Sequence, residues 1–599
     1  MATRTRVVLA QAATALLIAA WTAGPIWTLI ALPCALLGLV LAVARIRHRP
    51  AHRWLGDGIR FLGHRRVLPA GSSASGLLAL VRPGSAMTYV EVDGIDVGII
   101  EDTDGLSAVV QVGDLTSLLD GALPALPALS ALLPAPARDV PEVRLQLLAT
   151  GISAPGPGGL GGPATASATS YRQLTEGRIL AHQRVLLGVR VRRAGGYRRP
   201  DLEQSLTTAV RRVCRLLTKA GLPARPLSPQ SALNALTEVS GHDPAQPVCE
   251  TWTGLQIGGL HQAVFRLRRW PERGPLTARL LTMPASSTTV AITAAQHAGA
   301  TPTPAEVTIR LAAPTPAALA LAMTALRRLV ATIDARVTRL DGAQLDGLAA
   351  TLPLGGGAPA DDAALAGLVT GHDGLTLGGA RPALVTAVRL TELEPSIGGE
   401  GLMLGVNRRG DPVVIRLFRA EPTRAVLIGG LRCAEMLVLR ALAVGARVIV
   451  QSARPHAWDP FLRGLGTAEP VTLQPAGRVL EPPSATATRP QLLVIDVGSV
   501  VGRGVPVVES AWRATLLVRD ELTPADSDLL ARADLALLQP LTPSEAALAA
   551  GALGLGDSAG WLTRISPAML GLVISRQTVR WTQLSTTPIE QQLTGGPAR

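Results

Sequence analysis

No charged side chain stands between Val7 and Ala44, and arginines crowd both flanks: Arg4 and Arg6 before, then Arg45, Arg47, Arg49, Arg53, Arg60, Arg65 and Arg66. A bilayer crossing takes about 20 apolar residues per helix, so the run predicts a two-helix transmembrane hairpin turning near Gly24-Pro25, with Trp21 and Trp27 at the interface. Flanking arginines stay on the inner side, which predicts a multi-pass protein of the cell (inner) membrane with cytoplasmic N- and C-termini. A cleaved signal peptide fits less well. Cleavage after Ala23 would put Trp21 where a small residue is needed, and cleavage after Gly24 would leave Pro25 at the scissile bond.

Beyond this run the hydrophobic period alternates between strands and helices. Met87–Val92, Val97–Glu101 and Leu106–Val112 read as strands joined at Asp93-Gly94 and Asp104-Gly105, both strong hairpin dipeptides. Val143–Leu148 is a further strand, Gly151–Ser170 a Gly/Pro/Ala/Ser-rich flexible loop, and Val185–Val191 another strand. Leu202, Leu206, Val210, Val213 and Leu217 then mark one face of a helix over Asp201–Ala220, ended by Gly221 and Pro223. A second passage follows the same plan: strands between Trp252 and Phe265, at Thr289–Thr293 and Val307–Leu311, then a helix opened by Thr315 and Pro316. Ser231–Leu236 and Ala343–Leu348 match after the two helices, a duplication spaced by 343 − 231 = 112 residues.

From about Pro359 the rhythm changes to short apolar strands, Val413–Leu417, Ala425–Ile428, Arg447–Val450, Leu492–Ile495 and Thr515–Val518, with a helix over Cys433–Val444. Such alternation implies a buried parallel sheet. The predicted fold class is therefore α/β and α+β: the transmembrane hairpin, then α+β modules, then a C-terminal Rossmann/P-loop-like parallel α/β domain lacking a phosphate-binding loop. The corresponding domains are 1–66 (hairpin and basic juxtamembrane segment), 67–240 (first module, with flexible loop 151–170), 241–356 (second module, a duplication of the first) and 359–599.

The formal net charge is +13, carried by arginine because Lys219 is the only lysine. Clustering over Arg45–Arg66, interleaved with Trp54, Leu55, Ile59, Phe61 and Leu62, points to anionic lipid headgroups. With aromatic residues at 3%, the clusters Arg192, Arg193, Arg198, Arg199 and Arg266, Arg268, Arg269 read as hairpin faces or protein contacts, and no nucleic acid is expected as a partner. Cys34, Cys214, Cys249 and Cys433 are scattered, which implies neither a disulfide framework nor a zinc site.

Chemical motifs are incomplete. Gly429–Met436 stands where a P-loop would carry GxxxxGK[ST], but lacks the phosphate-binding lysine and the magnesium-binding hydroxyl. Leu492–Asp496 looks like a Walker B strand, with Val497 where an acidic partner would often follow. Arg432, near a helix start, is a candidate anion contact. Gly556–Gly560 matches GxSxG, yet an alanine-rich helical segment precedes Ser558 where a strand is required. Asp102-Thr-Asp104 has the form of a metal-holding DxD pair or of a plain hairpin turn, and Gly241-His-Asp243 and Gly371-His-Asp373 have the form of turn caps. No catalytic, cofactor-binding or metal-binding residue and no cofactor is assigned.

The arginine-flanked anchor, Ser170-Tyr-Arg-Gln-Leu-Thr-Glu176, Gln183-Arg-Val-Leu-Leu-Gly-Val-Arg190 and Cys214–Leu227 together resemble EccE, a membrane component of actinobacterial type VII (ESX) secretion systems. The resemblance is best over the first 240 residues; Ala453–Trp458 and Thr587–Gln592 look like the extended members of the family. It implies a non-enzymatic scaffold subunit for protein secretion, partnered by EccB-, EccC- and EccD-type subunits and the mycosin protease, and it offers no catalytic residues. The rival readings are a membrane-tethered, glycosyltransferase-like nucleotide-dependent enzyme, and a lipid-surface regulator acting through Arg45–Arg66.

Overall fold

In the computed structural model the described residues are 66–114, 116–119, 125–135, 140–155, 165–193, 196–269, 276–295, 305–356, 399–466, 469–477, 484–498, 509–574 and 578–595, with scattered positions before residue 66. Asp93 (φ 53°) and Gly94 (φ 79°) both take left-handed backbone, the conformation a two-residue type I′ turn demands. That turn folds β2 (Ala86–Val92) onto β3 (Ile95–Asp102), and β4 (Gly105–Val112) continues the meander.

Then follow β5 (Val143–Ser153), α2 (Ala166–Thr175), β6 (Leu180–Arg192), α3 (Arg199–Lys219), β7 (Ala224–Pro226) and α4 (Pro229–Ser240). The second passage gives β8 (Val248–Thr251), β9 (Gly254–Ile257), β10 (Leu260–Arg269), β11 (Ser287–Ala295), β12 (Ala305–Ala313), α5 (Pro316–Thr332), β13 (Arg336–Arg339) and α6 (Gln344–Ala350). Ahead of both lie β1 (Val67–Leu68) and α1 (Ala74–Val81).

All thirteen strands form one sheet, in the order β1-β8-β9-β10-β12-β11-β5-β6-β4-β3-β2, with β13 on β10 and β7 on β4. Every pairing within it is antiparallel. The order reads the same outward from the centre, where β5 lies against β11 over Gly151↔Thr288 to Arg144↔Ala295. A three-stranded meander, a hairpin, a long helix, a short strand and a short helix thus occur twice about a local twofold axis. Buried positions of the long helices correspond at a constant offset, 326 − 213 = 113 and 330 − 217 = 113.

One face of the sheet is apolar and lies under α3 and α5. The opposite face carries buried polar groups, among them Arg144, Gln146, Arg190, Thr289 and Arg310, under α1, α4 and α6. Strands covered on both sides cannot leave such groups to water, so each needs an internal partner. Gln146 spans Ala350 O (2.8 Å) and Gly355 N (2.9 Å), and Arg190 reaches Asp102 (2.6 Å) and Leu354 O (3.2 Å).

A second, ten-stranded sheet contains β14 (Leu402–Val406), β15 (Pro412–Ile415), β16 (Thr423–Ile428), β17 (Arg447–Ser452), β18 (Val471–Pro475), β19 (Gln491–Asp496), β20 (Arg513–Arg519), β21 (Leu535–Leu538), β22 (Met569–Ile574) and β23 (Thr578–Leu584). Its order is β15-β14-β23-β22-β21-β16-β20-β19-β17-β18. The six strands from β21 to β18 run parallel, and the other four are antiparallel. Helices α7 (Leu431–Ala443), α8 (Pro455–Leu465) and α9 (Pro588–Thr594) cover one face.

The fold is therefore mixed α/β with a large antiparallel sheet, which corrects the expected class. The expected N-terminal transmembrane hairpin is not supported: among the described residues no helix is long and apolar enough to cross a membrane. Gly24-Pro25 divides the charge-free run into two pieces that each fall short of about 20 residues. Most of residues 1–65, including most of the basic segment Arg45–Arg66, lies outside the described residues. The stretch expected as loop 151–170 is strand to Ser153 and helix from Ala166.

Arg310 illustrates the polar face most sharply. Its guanidinium donates to Val239 O (2.5 Å), Ser240 O (3.3 Å), Gln262 Oε1 (2.7 Å) and Thr289 Oγ1 (3.1 Å), capping the C-terminus of α4, where a cation suits the helix dipole. Burial pulls its pKa down, to about 9. Replacing Arg310 with Ala strands these acceptors, and chemical denaturation should show a loss of about 3 kcal/mol or more; a loss below about 1 kcal/mol would contradict the capping role.

Candidate interaction site

The segment that enters the second sheet's core comes from the first. Thr165 caps α2 by accepting from Ala168 N (3.3 Å), and the helix lays Tyr171, fully buried, against α7 and α9. The Tyr171 hydroxyl donates to Gly401 O (3.0 Å) and accepts from Met403 N (3.0 Å). Burial pushes its pKa up to about 12, so it stays a donor. Ser170 and Thr587 hydroxyls meet at 2.7 Å, and Ser167 donates to Glu469 (2.5 Å). Backbone bonds extend the seam: Leu180 N to Gly399 O (2.9 Å), Gly401 N to Leu180 O (2.8 Å) and Arg416 N to Leu118 O (2.7 Å).

Behind α2 lies a buried charged cluster. His182 Nδ1 is 3.3 Å from Glu400, its Nε2 is 3.5 Å from Glu238, and its ring stands edge-on to Trp512, centroids 4.8 Å apart. Glu238 is also paired with Arg184; Glu400 is paired with Arg416 (2.7 Å) and accepts from Gln183 N. Arg416 reaches on to Asp114 O (2.8 Å). Two carboxylates and two guanidinium groups from both sheets balance in charge, and His182, set between the two glutamates, adds one positive charge when protonated. Burial alone would lower the His182 pKa, but the two glutamates outweigh it and raise it to about 9. Both carboxyls are held low: burial pushes them up, and Arg184 and His182 for Glu238, or His182 and Arg416 for Glu400, more than reverse it.

The nucleotide-fold candidates are occupied by the protein itself. After β16 the chain turns at Gly429-Gly430 directly into α7. Gly430 N donates to Gln539 Oε1 (2.7 Å), and a Cβ at Gly429 would overlap that buried amide, so Gln539 fills the mouth where phosphate would sit. Glu435 stands at the place of the P-loop lysine, its pKa pushed up by burial to about 7 against the opposing Arg432 charge. Arg432 is itself turned to Gly595 O (3.3 Å). Asp496, at the Walker B position, accepts from Ser452 (2.9 Å), Trp458 (2.9 Å) and both sides of Arg454 (3.0 and 2.9 Å). Arg454 continues to Asp520 (2.9 Å).

The remaining motifs are structural. Asp102 closes its hairpin by accepting from Asp104 N (2.9 Å) and Gly105 N (3.0 Å); burial pushes its carboxyl up, but the Arg190 contact holds it low. Ser558 lies in a 3-10 helix over Gly556–Thr563 after the helix Pro543–Leu553, so the strand a nucleophile elbow requires is not there. Gly241 caps α4 with left-handed backbone, and His242 meets Ser72 O (3.1 Å). Gly371-His-Asp373 lies outside the described residues. Arg192 pairs with Glu142 (3.1 Å), Arg193 with Glu101 (2.7 Å), and Arg266 with Glu306 (2.5 Å). Cys214, Cys249 and Cys433 are free thiols, and among the described residues no group of three or more His, Cys, Asp or Glu side chains could hold a metal ion.

The seam was not found from sequence. His182, Glu238 and Glu400 look ordinary one by one, and the motifs Ser170–Glu176, Ala453–Trp458 and Thr587–Gln592 pointed only to a family resemblance. The structure gives these motifs work: Tyr171 bridges the seam, Arg454 and Trp458 hold Asp496, and Glu590 takes a two-pronged contact from Arg440 (2.8 Å each).

Residues 183–267, from β6 to β10, match the family model described as "Putative type VII ESX secretion system translocon, EccE". No curated protein matches the chain.

Two outcomes follow. Because the folded His182 pKa is raised, its contribution is complete below about pH 6.5 and is lost as pH climbs through about 9. Denaturation at pH 6 and pH 9.5 should differ by up to about 3 kcal/mol, a difference that His182→Gln flattens; an unchanged pH slope in the variant would contradict the assignment. Magnesium ATP or GTP should leave the melting temperature unchanged, whereas ligand at 100 times its Kd would add about 2.7 kcal/mol.

Proposed function

We propose that this protein is a non-catalytic scaffold subunit of a type VII (ESX) secretion complex, contacting the EccB-, EccC- and EccD-type subunits and the mycosin protease. The observation that carries the reading is the EccE match over residues 183–267, because that stretch includes His182's neighbours Gln183, Arg184 and Glu238 and so lies along the seam. The chemistry supports it: the residues a nucleotide-dependent enzyme would need, Asp496, Arg432 and the Gly429-Gly430 turn, are spent on internal contacts.

Purification of the tagged full-length chain from its native membranes in mild detergent should recover EccB-, EccC- and EccD-type subunits in fixed ratio. Tyr171→Ala, which opens the seam, should reduce that recovery several-fold. A protein that purifies alone at every detergent concentration would overturn the proposal.

A further inference from the structure

The two ends of the thirteen-stranded sheet are related by the local twofold axis, yet they are finished differently. At one end β8 is covered by β1: Val248 pairs with Leu68, Cys249 with Val67, and Glu250 N donates to Arg66 O (2.9 Å). At the other end the corresponding strand, β2, pairs with β3 alone, and among the described residues nothing lies along its outer edge.

That edge lacks the usual safeguards. Ala86-Met-Thr-Tyr-Val-Glu-Val92 contains no Pro, Gly or Lys, and it pairs with β3 over all seven residues without a register shift. Long, flat, β-prone edges of this kind invite another strand. The two-residue turn fixes which groups are offered. It is closed by the exchanged pair Val92↔Ile95, so alternation leaves the backbone N–H and C=O groups of Met87, Tyr89 and Glu91 pointing away from β3. Tyr89 is 66% exposed, on the face of β2 that it shares with Met87 and Glu91.

Charge distinguishes the partner. Glu91 and Asp96 are exposed on this hairpin, an acidic pair on a protein of net charge +13, while Asp93 in the turn is paired with Arg211 (3.0 Å). Glu91 and Glu250 are each the penultimate residue of their strand, and the segment on the Glu250 edge reads Arg66-Val-Leu68, with Leu68 buried beneath α1. We infer that the outer edge of β2 receives an extended, basic-apolar strand of a partner protein, added antiparallel as β1 is added to β8, with its arginine facing Glu91 and an apolar residue beside Tyr89.

The test uses the full-length chain with a synthetic peptide of sequence Arg-Val-Leu-Arg-Val-Leu, a control with Glu in place of Arg, and amide hydrogen exchange as readout. The arginine peptide should slow exchange of the Met87, Tyr89 and Glu91 amides at least tenfold, and the glutamate peptide should not. Tyr89→Pro removes one outward N–H without touching the β2–β3 ladder and should abolish the protection. Should that variant misfold, Glu91→Arg, a surface change, should invert the preference between the two peptides. Equal protection by both peptides or by neither overturns the inference. So does slow exchange at β2 in the peptide-free protein, including slow exchange that appears only as concentration rises, the mark of a second copy on the edge. Recovery of secretion subunits by the chain is a separate readout, so either result can fail without the other.

Discussion

The buried guanidinium group is the constraint this structure is organised around. Arg144, Arg190, Arg310 and Arg440 are among the largest fully buried side chains, and burying a cation costs several kcal/mol unless its donors are met. Arginine can satisfy this from several directions because its fork presents five N–H groups in a plane. Arg440 joins Met403 O, Leu404 O and Glu590; Arg190 joins Asp102 and Leu354 O; Arg310 joins the end of α4 to β10 and β11. Each links segments far apart in sequence, so the same groups that would destabilise an open chain lock the closed one.

A plan that occurs twice organises the large sheet, and the helix carried by one hairpin makes the seam. The hairpin β5–β6 carries α2 between its strands, and α2 is what reaches the second sheet. Tyr171 has to find both a donor and an acceptor where it is buried, and the irregular Gly401–Met403 backbone entering β14 supplies them. The charged cluster adds selectivity to this packing. Glu400 alone against Glu238 would repel; His182 between them, with Arg184 and Arg416 outside, makes the five groups mutually dependent.

What was legible in the sequence follows from range. Asp93-Gly94 announces its turn because two left-handed residues are a local demand, and Thr315-Pro316 announces α5 because a capping hydroxyl and a fixed φ are local too. The helix expected over Asp201–Ala220 and the one found at Arg199–Lys219 agree for the same reason. The polar face of β5 was not legible, since Arg144, Gln146 and Thr150 break the apolar alternation and are satisfied by residues up to about 209 positions away. Nor was α2: Ala, Ser and Thr in a Gly/Pro-rich context favour a loop, and its helix is stabilised by docking rather than by propensity. The apolar opening lies mostly outside the described residues, among which no helix is long and apolar enough to cross a membrane.

The second sheet shows why a fold and a reaction must be argued separately. Parallel strands, a glycine turn and an aspartate at a strand end supply the frame in which nucleotides are commonly held. Here each feature is turned inward. The Gln539 amide takes the Gly430 N–H that would meet phosphate, Glu435 places a carboxyl where a lysine would be needed, and Arg454 and Trp458 consume the lone pairs of Asp496. A carboxyl pushed up by burial to about 7 supplies no fixed positive charge for a phosphate at that position. The frame buries a broad apolar surface under α7 and α8, and that surface, continuous with the Tyr171 face of α2, joins the two sheets.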